Sequence, residues 1–165
     1  MNTAASTIQP TQGEDSPNVR IMPPIVFWIC LITGGALQLI VPWSLPIPRF
    51  IGVAAGIAFF AAGFWFMMWG HARFQRLGVN VRPNLPARSL VKQAAYRFSR
   101  NPMYVGFTTM LLGTGLAVGS IWLLLAALPY GAYLSLYVVP REEAYLLRTF
   151  GNAYREYCRD VRRWL

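Results

Sequence analysis

Two apolar runs without a charged side chain, residues 25–41 and 50–70, are separated by a short connector holding Pro42, Pro46 and Pro48. Pro23 and Pro24 open the first run and Pro42 closes it, because proline is tolerated in a first helical turn and cannot continue a helix. A crossing of the hydrocarbon core takes about 20 residues, so each run is read as one membrane helix. A third stretch, 103–140, is also uncharged. It is too long for one crossing and predicts a tight hairpin of two, residues 103–119 and 121–139, turning at Gly119-Ser120. Trp122, Trp43 and Trp69 are placed at helix ends, where an indole keeps one wet edge and one apolar body. The pattern therefore predicts an all-α membrane protein whose four transmembrane helices form two hairpins.

Pro129 lies inside the fourth run and predicts a kink there. Two small-residue patterns, Gly52-x-x-x-Gly56 and Gly115-x-x-x-Gly119, allow close helix approach. After residue 140 the pattern becomes amphipathic. Leu147, Phe150, Tyr154, Tyr157, Val161 and Trp164 recur at alternating three- and four-residue spacing and draw one apolar stripe. Gly151 interrupts it, and Asn152 is expected to cap a second helix. The simplest reading of the tail, 141–165, is a helix lying in the membrane surface; the sharper one is a lid over a cytosolic cavity.

Charge fixes the orientation. The segment between the second and third runs carries Arg73, Arg76, Arg82, Arg88, Lys92, Arg97 and Arg100 and no acid, and the tail adds six arginines. The other two connectors carry Arg49 alone. By the positive-inside rule the basic loop, the tail and both termini are cytosolic, in a bacterium on the inner face of the plasma membrane. A net charge of +9 could suggest nucleic acid. Its confinement to blocks beside apolar runs assigns it instead to orientation and anionic headgroups. Residues 1–18 are polar and lack the basic start and apolar core of a secretory signal. Residues 1–22 are read as a disordered cytosolic leader, and 23–165 as the membrane domain. With one histidine, His71, and two distant cysteines, Cys30 and Cys158, neither a metal site nor a disulfide is expected.

Two segments place polar groups at a membrane boundary. Arg100-Asn101-Pro102-Met103-Tyr104 opens the third run, where free backbone donors suit an anion and the arginine fork suits a carboxylate. The bland alternative is a helix start with a basic flank and an interfacial tyrosine. Arg141-Glu142-Glu143 follows the fourth run and holds the first carboxylates after Asp15. Acids near lipid tend to be paired or functional, the bland alternative being headgroup-level solvation beside Arg141. Successive helical residues point about 100° apart, so one glutamate can face inward while the other faces water. A hairpin brings both segments to the same side. Arginine, carboxylate and tyrosine there would suit a zwitterionic ligand such as an amino acid headgroup.

The stretch VRPNLPARSLVKQAAYRFSRNPMY, with REEAYLLRTFGNAYREY and the closing VRRWL, resembles the isoprenylcysteine carboxyl methyltransferase-like family and, more broadly, the phospholipid methyltransferases. The resemblance implies an S-adenosylmethionine-dependent methyltransferase acting on a small or lipophilic acceptor, with S-adenosyl-L-methionine in a cytosol-facing cavity. It implies a cofactor side formed by Leu90, Val91, Gln93, Tyr96, Arg100, Asn101, Pro102, Tyr104 and Glu143, and chemistry at Arg141, Glu142 and Glu143. The chain departs from the family at Asn101, where histidine is frequent. Asparagine donates a hydrogen bond but does not titrate near neutral pH. It departs again at Ala94-Ala95, where a Gly-containing pair is frequent, which argues that Ala94 needs no left-handed backbone. Methyl transfer from a sulfonium is an in-line displacement that needs alignment and water exclusion, with no covalent nucleophile. The acceptor can be a carboxylate, thiol or amine; Arg141 would place an anionic one, and an amine would need a base such as Glu142. The expected partners are the bilayer and this acceptor, with no nucleic acid and no metal; the oligomeric state stays open. Two rival readings are an NADPH-dependent membrane reductase of similar architecture and a non-enzymatic small transporter or structural membrane protein. Absence of charge inside the spans counts against an ion-coupled carrier.

Overall fold

The structure is a computed structural model that describes residues 16–76 and 90–165. Its helices are α1 (Pro23–Ile40), α2 (Arg49–Arg76), α3 (Pro102–Val118), α4 (Ile121–Leu125), α5 (Ala127–Tyr133), α6 (Val139–Phe150) and α7 (Asn152–Asp160). A 3-10 turn, Ala94–Arg97, precedes α3, and a π-helical segment, Leu134–Val138, joins α5 to α6. No strand occurs among the described residues; one isolated bridge pairs Ser44 with Ser120.

Among the described residues three helical stretches are long and apolar enough to cross a membrane, Pro23–Ile40, Arg49–Arg73 and Ile121–Phe150, and the apolar α3 is shorter. Their outer faces carry Trp28, Ile32, Ile57, Phe59, Phe64, Trp65 and Leu136, all exposed. So large an apolar surface needs lipid as its solvent, and the protein is an integral membrane protein.

The packing differs from two independent hairpins. α2 runs against α3, while α1 packs on α4 and α5 and has no comparably extensive contact with α2. Glycine allows the α2–α3 contact. A Cβ on Gly106 would lie 2.6 Å from the Gly63 carbonyl oxygen, and one on Gly113 2.6 Å from the Phe60 nitrogen. A Cβ on Gly56 would lie 2.3 Å from the Ala117 nitrogen. The first expected glycine pair, Gly52 and Gly56, therefore does face α3. The second divides: Gly115 meets Leu124, while Gly119 is the left-handed residue that closes α3, at φ +74°. The more extensive seam, Gly56, Gly63 and Gly70 against Gly113, Gly106 and Pro102, has a seven-residue repeat that a search for four-residue spacing passes over.

The turn at Gly119-Ser120 stands where the pattern puts it, with the Ser120 hydroxyl accepting from the Leu123 N–H. Around it, Ser120 donates to Gln38, Trp122 Nε1 to the Val41 carbonyl, and Arg49 to the Val118 carbonyl. These bonds tie the two connectors together at one end of the bundle. The expected kink takes the form of a break at Ala126. Pro129 supplies no N–H to the carbonyl four residues back, Leu125, which is where α4 ends. Pro140 does the same to Leu136, which lies in the π-helical segment.

Phe27, Tyr104, Leu111, Tyr130, Leu134, Val138 and Val139 form the core. Val19 joins it, and the Ile21 carbonyl accepts from the Tyr133 hydroxyl. The packed chain thus begins ahead of the first helix, and only residues 1–15 of the expected leader lie outside the described residues. The tail bends at Gly151, which is itself the cap of α7. Asn152 is the first helical residue and accepts from Arg155, one position on from its expected capping role. The stripe's Tyr154 and Tyr157 are buried in the protein, so the tail's apolar face is spent on the chain as well as on any membrane surface.

One expectation is overturned. Ala94 has φ +59°, in the left-handed region. The extended Gln93 leads into a 3-10 turn that buries Ala95 and Tyr96, and the chain takes this geometry with alanine in place. A side chain in that region costs about 1–2 kcal/mol, partly offset by the lower chain entropy of alanine in the unfolded state. Ala94→Gly is expected to stabilise the protein by about 0.5–1 kcal/mol, raising the melting midpoint in detergent by roughly 1–4 °C. A lowered midpoint would contradict the left-handed assignment.

Candidate active site

The site is built where the start of α3 meets the start of α6 and the closing residues of the tail. Pro102 occupies the first turn of α3 and fixes its entry. Before it, the fully buried Ser99 accepts the Asn101 backbone N–H at 3.0 Å. The tail lies over this turn: the Arg100 N–H donates to the Arg162 carbonyl at 2.9 Å and Asn101 Nδ2 to the Arg163 carbonyl at 2.9 Å. Asn101 is therefore a donor, as its chemistry requires, and its amide is engaged by the chain itself.

The adjacent glutamates point to different partners, as a helical step of about 100° dictates. Glu142 accepts from the Tyr104 hydroxyl at 2.7 Å. Its other carboxylate oxygen has no hydrogen-bond partner among the described residues. Glu143 receives Arg100 Nη2 at 3.0 Å and both Nε (3.0 Å) and Nη2 (2.5 Å) of Arg163. Arg100 and Glu143 are largely buried, at 13% and 19% side-chain exposure, so theirs is the pair that solvent screens least. Arg100 Nη1 also donates to the Cys158 carbonyl, and its Nε is buried without a partner.

Behind this group, the buried Tyr157 donates to the Tyr96 carbonyl at 2.8 Å. Burial raises both phenols above the ordinary tyrosine value, that of Tyr96 further by the nearby Glu142 charge, so both stay neutral. Val91 is buried beside the turn, Leu90 is half-buried and Gln93 is exposed.

Of the residues singled out in the sequence, the fold brings together Tyr96, Arg100, Asn101, Pro102, Tyr104, Glu142 and Glu143. It does not bring in Arg141, which is exposed, with its guanidinium 4.0 Å over the Tyr137 ring. Arg163 was missed. The signal was its place beside the tail's apolar stripe, but charge on an amphipathic tail is ordinarily solvated and gives no reason to look inward.

Residues 51–153 match the family model described as phospholipid methyltransferase. The chain belongs to that family. Both membrane-boundary segments, from Arg100 to Tyr104 and from Arg141 to Glu143, lie inside the matched region, and Arg163 lies beyond it. The chain is also 37% identical over 73 residues to the Protein-S-isoprenylcysteine O-methyltransferase of Schizosaccharomyces pombe (strain 972 / ATCC 24843). That alignment covers 44% of this chain and 30% of the yeast protein, so the chain spans less than a third of its relative's length. No solved structure matches.

Proposed function

We propose that the protein is an S-adenosylmethionine-dependent methyltransferase whose acceptor, a carboxylate, thiol or amine on a small or lipophilic molecule, enters from the membrane. The observation that carries this reading is the Glu142–Tyr104 pair at the membrane boundary: a half-buried carboxylate held by one oxygen, with the other left for a cation. An ammonium group of the cofactor's amino acid end fits that oxygen, and the orphaned Arg100 Nε fits a ligand acceptor. When bound, S-adenosylmethionine supplies a methyl group on a sulfonium, already electrophilic. The chain's part is to hold the two reactants in line and keep water away. Tyr104 fixes the Glu142 carboxylate, and Glu143 with Arg100 and Arg163 fixes the tail over the start of α3. The buried Tyr96 and Tyr157 back this wall. Leu90, Val91 and Gln93 line the approach. Arg141, outside the cluster, is assigned to the membrane boundary, where an acidic acceptor would first meet it.

Calorimetry on the protein in detergent tests the reading. S-adenosylhomocysteine is expected to bind at micromolar concentration and NADPH not at all. Binding of NADPH with no binding of the adenosyl ligand would replace this function with the reductase.

The membrane arrangement that goes with this reading has four crossings and both termini in the cytosol, putting the site at the cytosolic face. The charge asymmetry between the basic segments and the Arg49-only connectors supports it. Reporter fusions after Leu165 and within residues 42–49 are expected to read cytosolic and exported, respectively; an exported C-terminal reporter would reject the topology.

A further inference from the structure

The Arg100 fork, the obvious partner for a ligand's carboxylate, is largely spent within the protein. Nη2 is on Glu143, Nη1 on the Cys158 carbonyl, and the backbone N–H on the Arg162 carbonyl. With only Nε of Arg100 left over, a zwitterion held by Glu142 at its ammonium calls for a second cation at its acidic end. Among the arginine and lysine side chains described, Arg73 and Arg100 are the half-buried ones, and of these two only Arg100 has a counter-charge. Arg73 Nε is buried and has no hydrogen-bond partner among the described residues.

The position of Arg73 is informative. It lies three residues after Gly70, and positions three apart share a helix face. That face meets the site: a Cβ on Gly70 would lie 3.3 Å from Pro102 Cγ and 3.6 Å from the Tyr96 ring. Tyr96 in turn is close enough to Glu142 to feel its charge. The end of α2 thus runs along the wall whose other members are Tyr96, Pro102 and Glu142. A half-buried guanidinium with no anion is unfavourable at a lipid boundary, where charges are normally paired. Its planar fork matches two oxygens of one oxyanion, which a lysine would not.

From this we infer that Arg73 is the oxyanion-binding residue of the site, taking the carboxylate of a bound ligand while Glu142 faces its cation. The inference rests on the methyltransferase reading and adds a residue that neither boundary segment contains. Two ligands could bring the carboxylate: the amino acid end of the cofactor, or an acidic acceptor.

The test uses the full chain in neutral phosphatidylcholine nanodiscs and compares ligand twins by calorimetry. S-adenosylhomocysteine is set against its decarboxylated analogue, and an isoprenylated N-acetylcysteine against its methyl ester. The wild type is expected to prefer the carboxylate member of one pair at least tenfold. Arg73→Gln is expected to erase that preference, and Arg73→Lys, which keeps charge without the fork, to retain part of it. Loss of preference in the adenosyl pair assigns the anion to the cofactor, and loss in the cysteine pair to the acceptor; both support the role of Arg73. If Arg73→Gln keeps the wild-type preference in both pairs, the inference is wrong. It is equally wrong if the wild type prefers neither carboxylate, an outcome that needs no variant to fold. If the wild type binds neither adenosyl ligand, the methyltransferase reading fails, while the acid and ester pair still tests Arg73.

Discussion

Gly106→Leu is expected to leave little folded protein in the membrane. The first added atom would already lie 2.6 Å from the Gly63 carbonyl oxygen and 2.9 Å from the Met67 nitrogen, and neither is the end of a side chain that can swing aside. The backbones of α2 and α3 would have to separate. In lipid no hydrophobic force restores the contact, because the tails are as apolar as the helices; association there depends on close packing itself. Overpacking of this kind costs about 1–3 kcal/mol for small intrusions and more for large ones, a large part of the roughly 5–15 kcal/mol that holds a domain. The unfolding midpoint in detergent or the yield of monodisperse protein would report it. Gly131→Ala is the matching control, since a Cβ there meets nothing within 4 Å. It should be neutral or stabilising by up to about 1 kcal/mol through helix propensity. Equal loss in both variants would show that glycine matters here for reasons other than the α2–α3 contact.

The two adjacent glutamates should separate binding from stability. Glu143→Gln leaves the largely buried Arg100 without its counter-charge and removes the anchor of Arg163. Breaking a buried pair from one side costs about 3 kcal/mol or more, whereas the half-exposed Arg163 contributes little through charge alone. A lower melting midpoint is therefore expected, with cofactor binding falling as the tail loosens. Glu142→Gln keeps an oxygen for the Tyr104 hydroxyl but removes the charge offered to an ammonium. Charged hydrogen bonds contribute about 1.5–3 kcal/mol, so affinity for S-adenosylhomocysteine should drop by roughly one to two decades at an unchanged midpoint. Calorimetry and thermal melting on both variants decide the matter. If Glu142→Gln binds normally, or if it melts as early as Glu143→Gln, the division of roles is wrong.

These expectations also mark how far the residues of the site could be read before the fold was known. Arg100, Tyr104, Glu142 and Glu143 were legible because each is a polar group beside an uncharged run, and a hairpin must return its ends to the same side. What could not be read was which glutamate takes which partner, since a helical step separates their directions without saying where α3 and the tail lie. Arg73 and Arg163 were hidden for the same reason: each sits among other arginines, and only the fold shows which charge is buried and which is solvated.

The sequence by itself determined the helical class, the apolar runs that the long helices occupy, the turn at Gly119-Ser120 and the meeting of the two boundary segments. Those follow from local physics: uncharged length, proline and glycine geometry, and the solvent cost of charge. The tertiary structure decided the rest. It paired α2 with α3 through glycines seven apart, laid the closing residues of the tail over the start of α3 and gave each glutamate its partner. Each of these depends on contacts between residues distant in the chain. Where lipid removes the hydrophobic drive between helices, steric fit selects the partners, and that fit becomes visible only when both surfaces are present.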